Sequence, residues 1–350
     1  QTSSALTSEA LAYMQETGAD YIDTAKWFLQ EHSELIDQWL KPEDAEKIKA
    51  SLGEAGERGI KTSWLYSFPF ELYLDLSYID DGVKALSIRF DDFFTILKNG
   101  LGNFVGFINN ILDLIPWSVM ILLVVILTWR ISGKITSGLL YGFFLFLIGT
   151  LGLWSMMNET LSIIIASVIV SLLLGFPIGI LLSTSDRLDR FFRPILDTMQ
   201  TMPVFVYLIP AMMFFGLGKP PAVIATTVYA VVPMIRLTNH GIRQIDKEVV
   251  EASLAFGSTK IQSLIKVQIP QALPTIMTGI NQTLMMAMSM VVTVSMIGAS
   301  GLGMEVLLAV NRVEMGRGLV SGVAVVIIAI ILDRITQGLV KRSEVKADVE

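Results

Sequence analysis

The sequence predicts an all-α, polytopic membrane protein with about seven transmembrane helices and a polar helical tail at its N-terminus. Three observations carry this: an apolar composition, a series of windows long enough to span a bilayer, and an uneven distribution of positive charge among the connections. Of 350 residues, 53% are apolar and 17% charged, and the mean hydropathy is +0.61, beyond what a water-soluble chain of this size carries. No cysteine is present, which excludes a disulfide framework and thiolate metal sites. The net charge of -6 hides a division: residues 1–113 hold 9 Lys and Arg against 19 Asp and Glu, whereas residues 114–350 hold 17 against 13. An acidic head precedes a basic membrane body.

Residues 1–89 read as the acidic tail. Apolar residues recur there at helical spacing, as Tyr21, Ala25, Phe28 and Leu29, then Ile36, Trp39 and Leu40, and Lys41-Pro42-Glu43 places Pro at the first position of a further helix. The first 110 residues hold no apolar core behind a basic start, so no secretory signal is expected among them. Residues 90–114 differ in kind: Phe90, Phe93, Phe94, Leu97, Leu101, Phe104, Ile108, Ile111 and Leu112 mark one apolar stripe, interrupted elsewhere by Asp91, Asp92, Lys98, Asn103, Asn109 and Asn110. That pattern suits a helix lying in the membrane interface, and it equally suits a helix packed on protein. Gly100 and Gly102 are candidate bend points.

The membrane domain is expected over 115–340, with a short tail at 341–350. Its apolar windows fall at about 116–129, 135–154, 161–182, 194–215, 221–235, 274–297 and 319–339. Most reach the roughly 17–25 residues that a helix needs to cross about 30 Å of hydrocarbon. With the head outside, the inner connections hold fourteen Lys and Arg, and the outer ones hold only Lys219, Arg312 and Arg317. Positive charge marks the cytoplasmic side, so the N-terminus is expected outside the cell and the C-terminus within it. Trp117, Trp129 and Trp154 sit near span ends, where an aromatic belt belongs.

One polar insertion stands out on the inner side. Residues 251–274 read EASLAFGSTKIQSLIKVQIPQALP. Val249 to Phe256 suits a helix, Gly257 permits a turn of positive φ, Ser258 is placed to cap a second helix running to about Gln268, and Pro270 and Pro274 are placed to stop it. The segment also fits the pattern E-A-A-x3-G-x9-I-x-L-P at Glu251, Ala252, Gly257 and Pro270, with Ser253, Val267 and Ile269 as conservative departures. In this it resembles the cytoplasmic coupling loop of bacterial ABC-importer permeases. The resemblance implies the type I permease fold, and a rigid handle through which a separate ATP-binding subunit moves the membrane helices, with Glu251 and Gly257 shaping that contact.

The resemblance extends over about residues 100–340 and narrows to the glycine betaine/proline, or quaternary-amine, permeases, on RPILDTMQTMPVFVYLIPAMMFFGLG at 193–218 and GINQTLMMAMSMVVTVSMIGASGLGMEVL at 279–307. Buried amides in a membrane helix normally face a bundle interior or a water-filled path. Gln200, Thr201 and Pro203, followed by Tyr207 and Pro210, therefore suggest a kinked, pore-lining helix. Phe205 and Tyr207 offer ring faces to a methylammonium head, or simply pack. Asn281 and Gln282 precede Met285, Met286, Met288 and Met290, flexible side chains that line a changing passage or fill a core. Gly301 and Gly303 suggest a tight outer turn belonging to an outer gate, and Gly175-x-x-x-Gly179 a close helix contact.

Enzymatic chemistry is not expected of this chain. No G-x-x-x-x-G-K-[ST] occurs, and Gly133-Lys134-Ile135 lacks the hydroxyl residue and the upstream Gly of a phosphate-cradling loop. His32 and His240 fall on opposite sides of the membrane, so a multi-His metal site or a His-based triad is unavailable. The implied assembly is a permease homodimer in lipid, two ATP-binding subunits supplying ATP and Mg chemistry inside, and a substrate-binding protein outside, with no nucleic acid. Betaine, proline, choline, carnitine, trimethylamine N-oxide and dimethylsulfoniopropionate all fit as the solute. The alternative is an ion-gradient-driven transporter of the same kind of solute, which requires an intramembrane carboxylate or an ion site in broken helices; Asp197, near an inner end, is the one acid in 161–182, 194–215 and 274–297.

Overall fold

The computed structural model describes residues 12–14, 21–33, 35–36, 44–50 and 77–347, and the chain divides into two units, Gln1–Tyr78 and Ile79–Glu350. All regular elements among the described residues are helical. In the first unit, α1 (Tyr21–Glu31) carries Trp27, whose ring stacks on Tyr13 at 3.8 Å, and Ile36 and Ala45 are buried. Trp39, Leu40 and the helix start expected at 41–43 lie outside the described residues.

The second unit follows α2 (Ser77–Arg89) with α3 (Asp91–Leu114), α4 (Trp117–Ser132), α5 (Ile135–Thr150), α6 (Trp154–Ser183), α7 (Asp186–Thr201), α8 (Val204–Phe215) and α9 (Lys219–Arg243). Then come α10 (Lys247–Ala255), α11 (Lys260–Ser263), a π-helical turn (Leu264–Gln268), α12 (Ile269–Ser289), α13 (Val291–Ser295), α14 (Leu302–Arg312) and α15 (Met315–Ala347). Trp154–Ser183, Lys219–Arg243 and Met315–Gly338 are each long and apolar enough to cross a membrane. The α3–α4 and α7–α8 pairs are long and apolar enough only together, and they are bent by 92° and 93°.

At the centre, α6 and α9 run parallel. Lys219 Nζ lies 3.5 Å from Glu159 at their starts, and Arg243 donates to the Leu182 carbonyl at 2.9 Å near their ends. Small residues make this possible, as Gly175-x-x-x-Gly179 predicts: a Cβ at Gly175 would lie 2.9 Å from Met234 Cβ, and one at Gly179 would lie 2.6 Å from Thr238 Cβ. Between them the buried Ser171 hydroxyl donates to the Thr227 carbonyl at 3.5 Å. On the other side of α9, α12 runs antiparallel, with Gly241 against Thr275 and Gly279 against Leu237. The largest apolar core joins Met157 and Ile164 of α6, Leu284 and Met288 of α12 and Ile327, Ile328 and Ile331 of α15. In the α4–α5 hairpin Gly138 and Gly142 close on Val125.

This packing gives the unit two ends. The loop face carries the ends of α4, α6 and α9 together with α10 and α11; the far face carries the starts of α4, α6 and α9, the end of α5, and α14. Along the far face lies α3: Phe94 stacks on Phe214 at 4.7 Å, Gly102 faces Pro220, and Asp113 accepts from Asn158 at 2.8 Å. Gly100 and Gly102 sit within one uninterrupted helix.

Three sequence expectations need correction. The window 194–215 is not one kinked helix. Met202 is extended (ψ 131) ahead of Pro203, as pre-proline sterics favour, and α7 is held on the loop face by its charges. Arg236 pairs with Asp197 and Arg243 with Asp186, while Asn239 donates to Asp189 at 2.7 Å. The window 274–297 starts earlier, at Ile269, and is interrupted at Met290. The fifth window, 221–235, is the middle of a 25-residue helix.

Candidate functional site

The loop-face segment between α9 and α12 is built from local signals. Asp246 caps α10 by accepting from the Glu248 N–H at 2.9 Å. The α10 helix ends where the Gly257 N–H reaches the Leu254 carbonyl at 2.9 Å, with Gly257 at φ +89 and nothing within 4 Å of a Cβ there. Thr259, not Ser258, caps α11. Its hydroxyl accepts from the Gln262 N–H at 3.3 Å and its own N–H donates to Gln262 Oε1 at 2.9 Å, a reciprocal capping box that needs Gln three residues on. Ser258 instead sends its N–H to the Ser253 carbonyl at 3.2 Å.

Nor do the prolines stop the second helix. The chain passes from α11 through the π-helical turn directly into α12, with Pro270 in its first turn and Pro274 within it. A proline lacks the N–H for its own helical bond and its ring crowds the carbonyl four residues earlier. The wider turn, in which the Ile269 N–H reaches back to Leu264, carries the helix past that obstruction.

A single hydrogen bond joins the two arms. Ser253 Oγ lies 2.7 Å from Ser263 Oγ. Because Ser253 spends its proton on the Val250 carbonyl at 2.7 Å, Ser263 is the donor between them. Ser263 is 1% exposed and also accepts from Gln268 at 3.4 Å. The serine that departs from the resembled pattern is thus the clasp between α10 and α11. Ile245, Leu264 and Ile269 anchor the unit on Ile242 and Ala272.

The candidate coupling residues therefore divide in two. Glu251, Ala252, Gly257 and Pro270 are exposed, whereas Ser253, Val267 and Ile269 are partly buried in the joint. Sequence reasoning missed the most prominent part of the surface: Phe256 is 92% exposed, and Ile261 and Ile265, on the other arm of the same segment, are exposed too. Three large apolar side chains in a polar loop outside any span were the available signal.

The residues read as a pathway do not form one cluster within a single chain. Gln200, Thr201, Pro203 and Phe205 are exposed at the α7–α8 corner. Tyr207 is 8% exposed and stacked on Tyr229 at 6.3 Å, with its hydroxyl unpartnered. Asn281 is engaged at both ends of its amide: it donates to Asp333 at 3.4 Å and accepts from Thr336. Gln282 and Met285 are exposed, while Met288 and Met290 are buried in cores. Gly301 and Gly303 are buried on the far face, where the Leu302 N–H donates to Thr160 Oγ1 at 2.8 Å and a Cβ at Gly301 would lie 2.5 Å from that oxygen. They form a packed joint between α14, α13 and α6.

Residues 167–345, including the loop, match the family described as binding-protein-dependent transport system inner membrane component. The chain is 45% identical over 274 residues to the glycine betaine/carnitine transport permease protein GbuB of Listeria monocytogenes, covering 77% of this chain and 96% of that one. It is 46% identical over 262 residues to the glycine betaine transport system permease protein OpuAB of Bacillus subtilis, covering 75% and 92%. It is 41% identical over 263 residues to the glycine betaine/proline betaine transport system permease protein ProW of Escherichia coli, covering 75% and 74%. Among solved structures, a chain of the inward-facing MetNI methionine ABC transporter superposes with a TM-score of 0.50 at 23% identity, covering 53% of this chain and 93% of that one, a likeness of fold. With the family match spanning half the chain and these relatives matched over most of their length, the chain belongs to the binding-protein-dependent transport system inner membrane components.

Proposed function

We propose that this chain is the permease subunit of an ATP-driven importer for a quaternary-amine compatible solute such as glycine betaine. A separate ATP-binding subunit docks on the α10–α11 unit. The observation that carries the proposal is the pairing of a locally rigid, hydrogen-bonded unit with an apolar surface, Phe256, Ile261 and Ile265, that no described part of this chain covers. A surface of that kind suits protein contact. The named substrates of the relatives support the solute class.

The loop face is cytoplasmic in this reading. Arg130, Lys134, the basic residues of α7, Arg236, Arg243, Lys247, Lys260 and Lys266 lie on or next to it, whereas Lys219, Arg312 and Arg317 lie at the far face, in the sense of the positive-inside rule. Seven crossings follow if the short helix α5 and the interrupted α12–α13 also span, while α3 rests in the outer interface. Two copies enclose one path, lined by the exposed Gln200, Thr201, Phe205, Gln282 and Met285. ATP and Mg belong to the partner, and an extracytoplasmic binding protein delivers solute to the far face.

Proteoliposomes test the reading. Glycine betaine uptake should require the ATP-binding subunit, its binding protein and internal ATP together; uptake by this chain alone under a sodium or proton gradient would establish the secondary-transporter alternative.

A further inference from the structure

On the far face, remote from the coupling unit, lies a cavity of about 570 Å³ between the end of α3 and the neighbouring ends of α4, α5 and α6. It is separated from the loop face by the length of α6, 30 residues, or about 45 Å at 1.5 Å per residue. Its size falls within the roughly 300–1,000 Å³ of small-ligand sites. Three aromatic rings, Trp117, Phe146 and Trp154, stand in its walls, and Asp113 brings a carboxylate to it. Trp117 and Phe146 stand 6.4 Å apart with planes tilted by 53°, forming a wedge. Trp154 closes another side, its ring so near Gly149 that a Cβ there would lie 3.5 Å from Cε3.

At the polar end, Asp113 is held in place by Asn109, which donates at 2.7 Å, and by Asn158, which donates at 2.8 Å. No Lys or Arg lines the cavity, and Asp113 enters no ion pair among the described residues. Asn158 is 1% exposed, yet its Oδ1 has no hydrogen-bond partner. Because Nδ2 must face the carboxylate, that oxygen is an unused acceptor on a residue that lines the cavity.

We propose that this cavity is a binding site for a quaternary ammonium group, distinct from the transport path and from the coupling unit. Ring faces attract a cation within about 6 Å, and the Asp113 carboxylate balances its charge. A primary amine or a metal ion would need several hydrogen-bond or ligand oxygens. The Thr150 hydroxyl spends its proton on its own helix at Leu147, and Asp113 is the one acidic side chain among the lining residues. A quaternary head needs neither directed hydrogen bonds nor ligand oxygens. The group can arrive on a free solute or on a phosphatidylcholine headgroup.

The test uses the full chain in nanodiscs of phosphatidylglycerol and phosphatidylethanolamine, titrated with choline and with its neutral carbon isostere, dimethylbutanol. Choline should bind saturably and the isostere should not. Trp117→Leu and Asp113→Asn, both at exposed positions, should each weaken choline at least about tenfold, the scale of about 1.4 kcal/mol that a lost cation–π or charge contact represents, while Trp129→Leu at the other end of α4 should not. In a second arm, native mass spectrometry follows phosphatidylcholine doped into the discs. Retention by the wild type that both variants lose, without choline binding, assigns the site to the lipid headgroup. Equal binding of choline and isostere, or no difference between wild type and both variants in either arm, overturns the proposal.

Discussion

Gly179 shows how much of the membrane core rests on single atoms. A methyl group there would meet Thr238 Cβ at 2.6 Å and the Ile235 carbonyl at 2.8 Å, whereas one at Gly106 meets nothing within 4 Å. Overpacking of this kind costs roughly 1–3 kcal/mol. Gly179→Ala should lower the thermal midpoint in detergent by several degrees, and Gly106→Ala should leave it unchanged, as monitored by size-exclusion recovery after heating. The close contact was legible from the Gly-x-x-x-Gly spacing in a membrane window. The identity of the α11 cap was less so, because Ser258 and Thr259 are adjacent hydroxyl residues and only Gln262, three residues after Thr259, distinguishes them. Phe256 was not legible as a surface residue, since hydropathy assigns aromatic rings to cores and this one is 92% exposed.

Among the elements, α7 departs furthest from the sequence reading, and charge is the reason. Its N-terminal half carries Asp186, Arg187, Asp189, Arg190 and Arg193, which cannot follow α8 into hydrocarbon, so the chain turns at Met202–Pro203 by 93°. A window average over 194–215 sees the apolar half and Pro203, enough for a kink but not for a right angle. Arg243 ties this helix down through Asp186, while it also donates to Asn239 of its own helix and to the Leu182 carbonyl of α6. Arg243→Ala breaks all three contacts, including one to a carbonyl at the end of α6, and should destabilise by about 1.5–3 kcal/mol. Asp186→Ala removes one exposed pair and should cost less. Comparing their unfolding midpoints in one detergent checks the ranking. The prolines of α12 teach a related lesson: Pro270 and Pro274 signal a helix end, and the π-helical turn before them lets the helix continue.

At the scale of the molecule, two opposed faces follow from the parallel packing of α6 and α9, and the proposed orientation puts the loop face in the cytoplasm. The absence of cysteine makes this directly testable. In oriented membrane vesicles, Phe256→Cys should react with an impermeant maleimide only from the cytoplasmic side, and Met315→Cys, exposed at the start of α15, only from the opposite side. The series of apolar windows was readable because hydrophobicity acts locally. The surroundings of Gln200 and Gln282 were not, because both are exposed in one chain. The central claim is that the α10–α11 unit transmits another subunit's ATP cycle. It is tested most directly by Gly257→Val in the reconstituted complex, since a β-branched residue cannot readily adopt φ +89 and no neighbouring side chain is disturbed. Solute uptake per ATP hydrolysed should fall at least about tenfold, the loss of about 1.4 kcal/mol of coupling, with insertion and thermal midpoint unchanged; wild-type uptake per ATP by this variant would contradict the account.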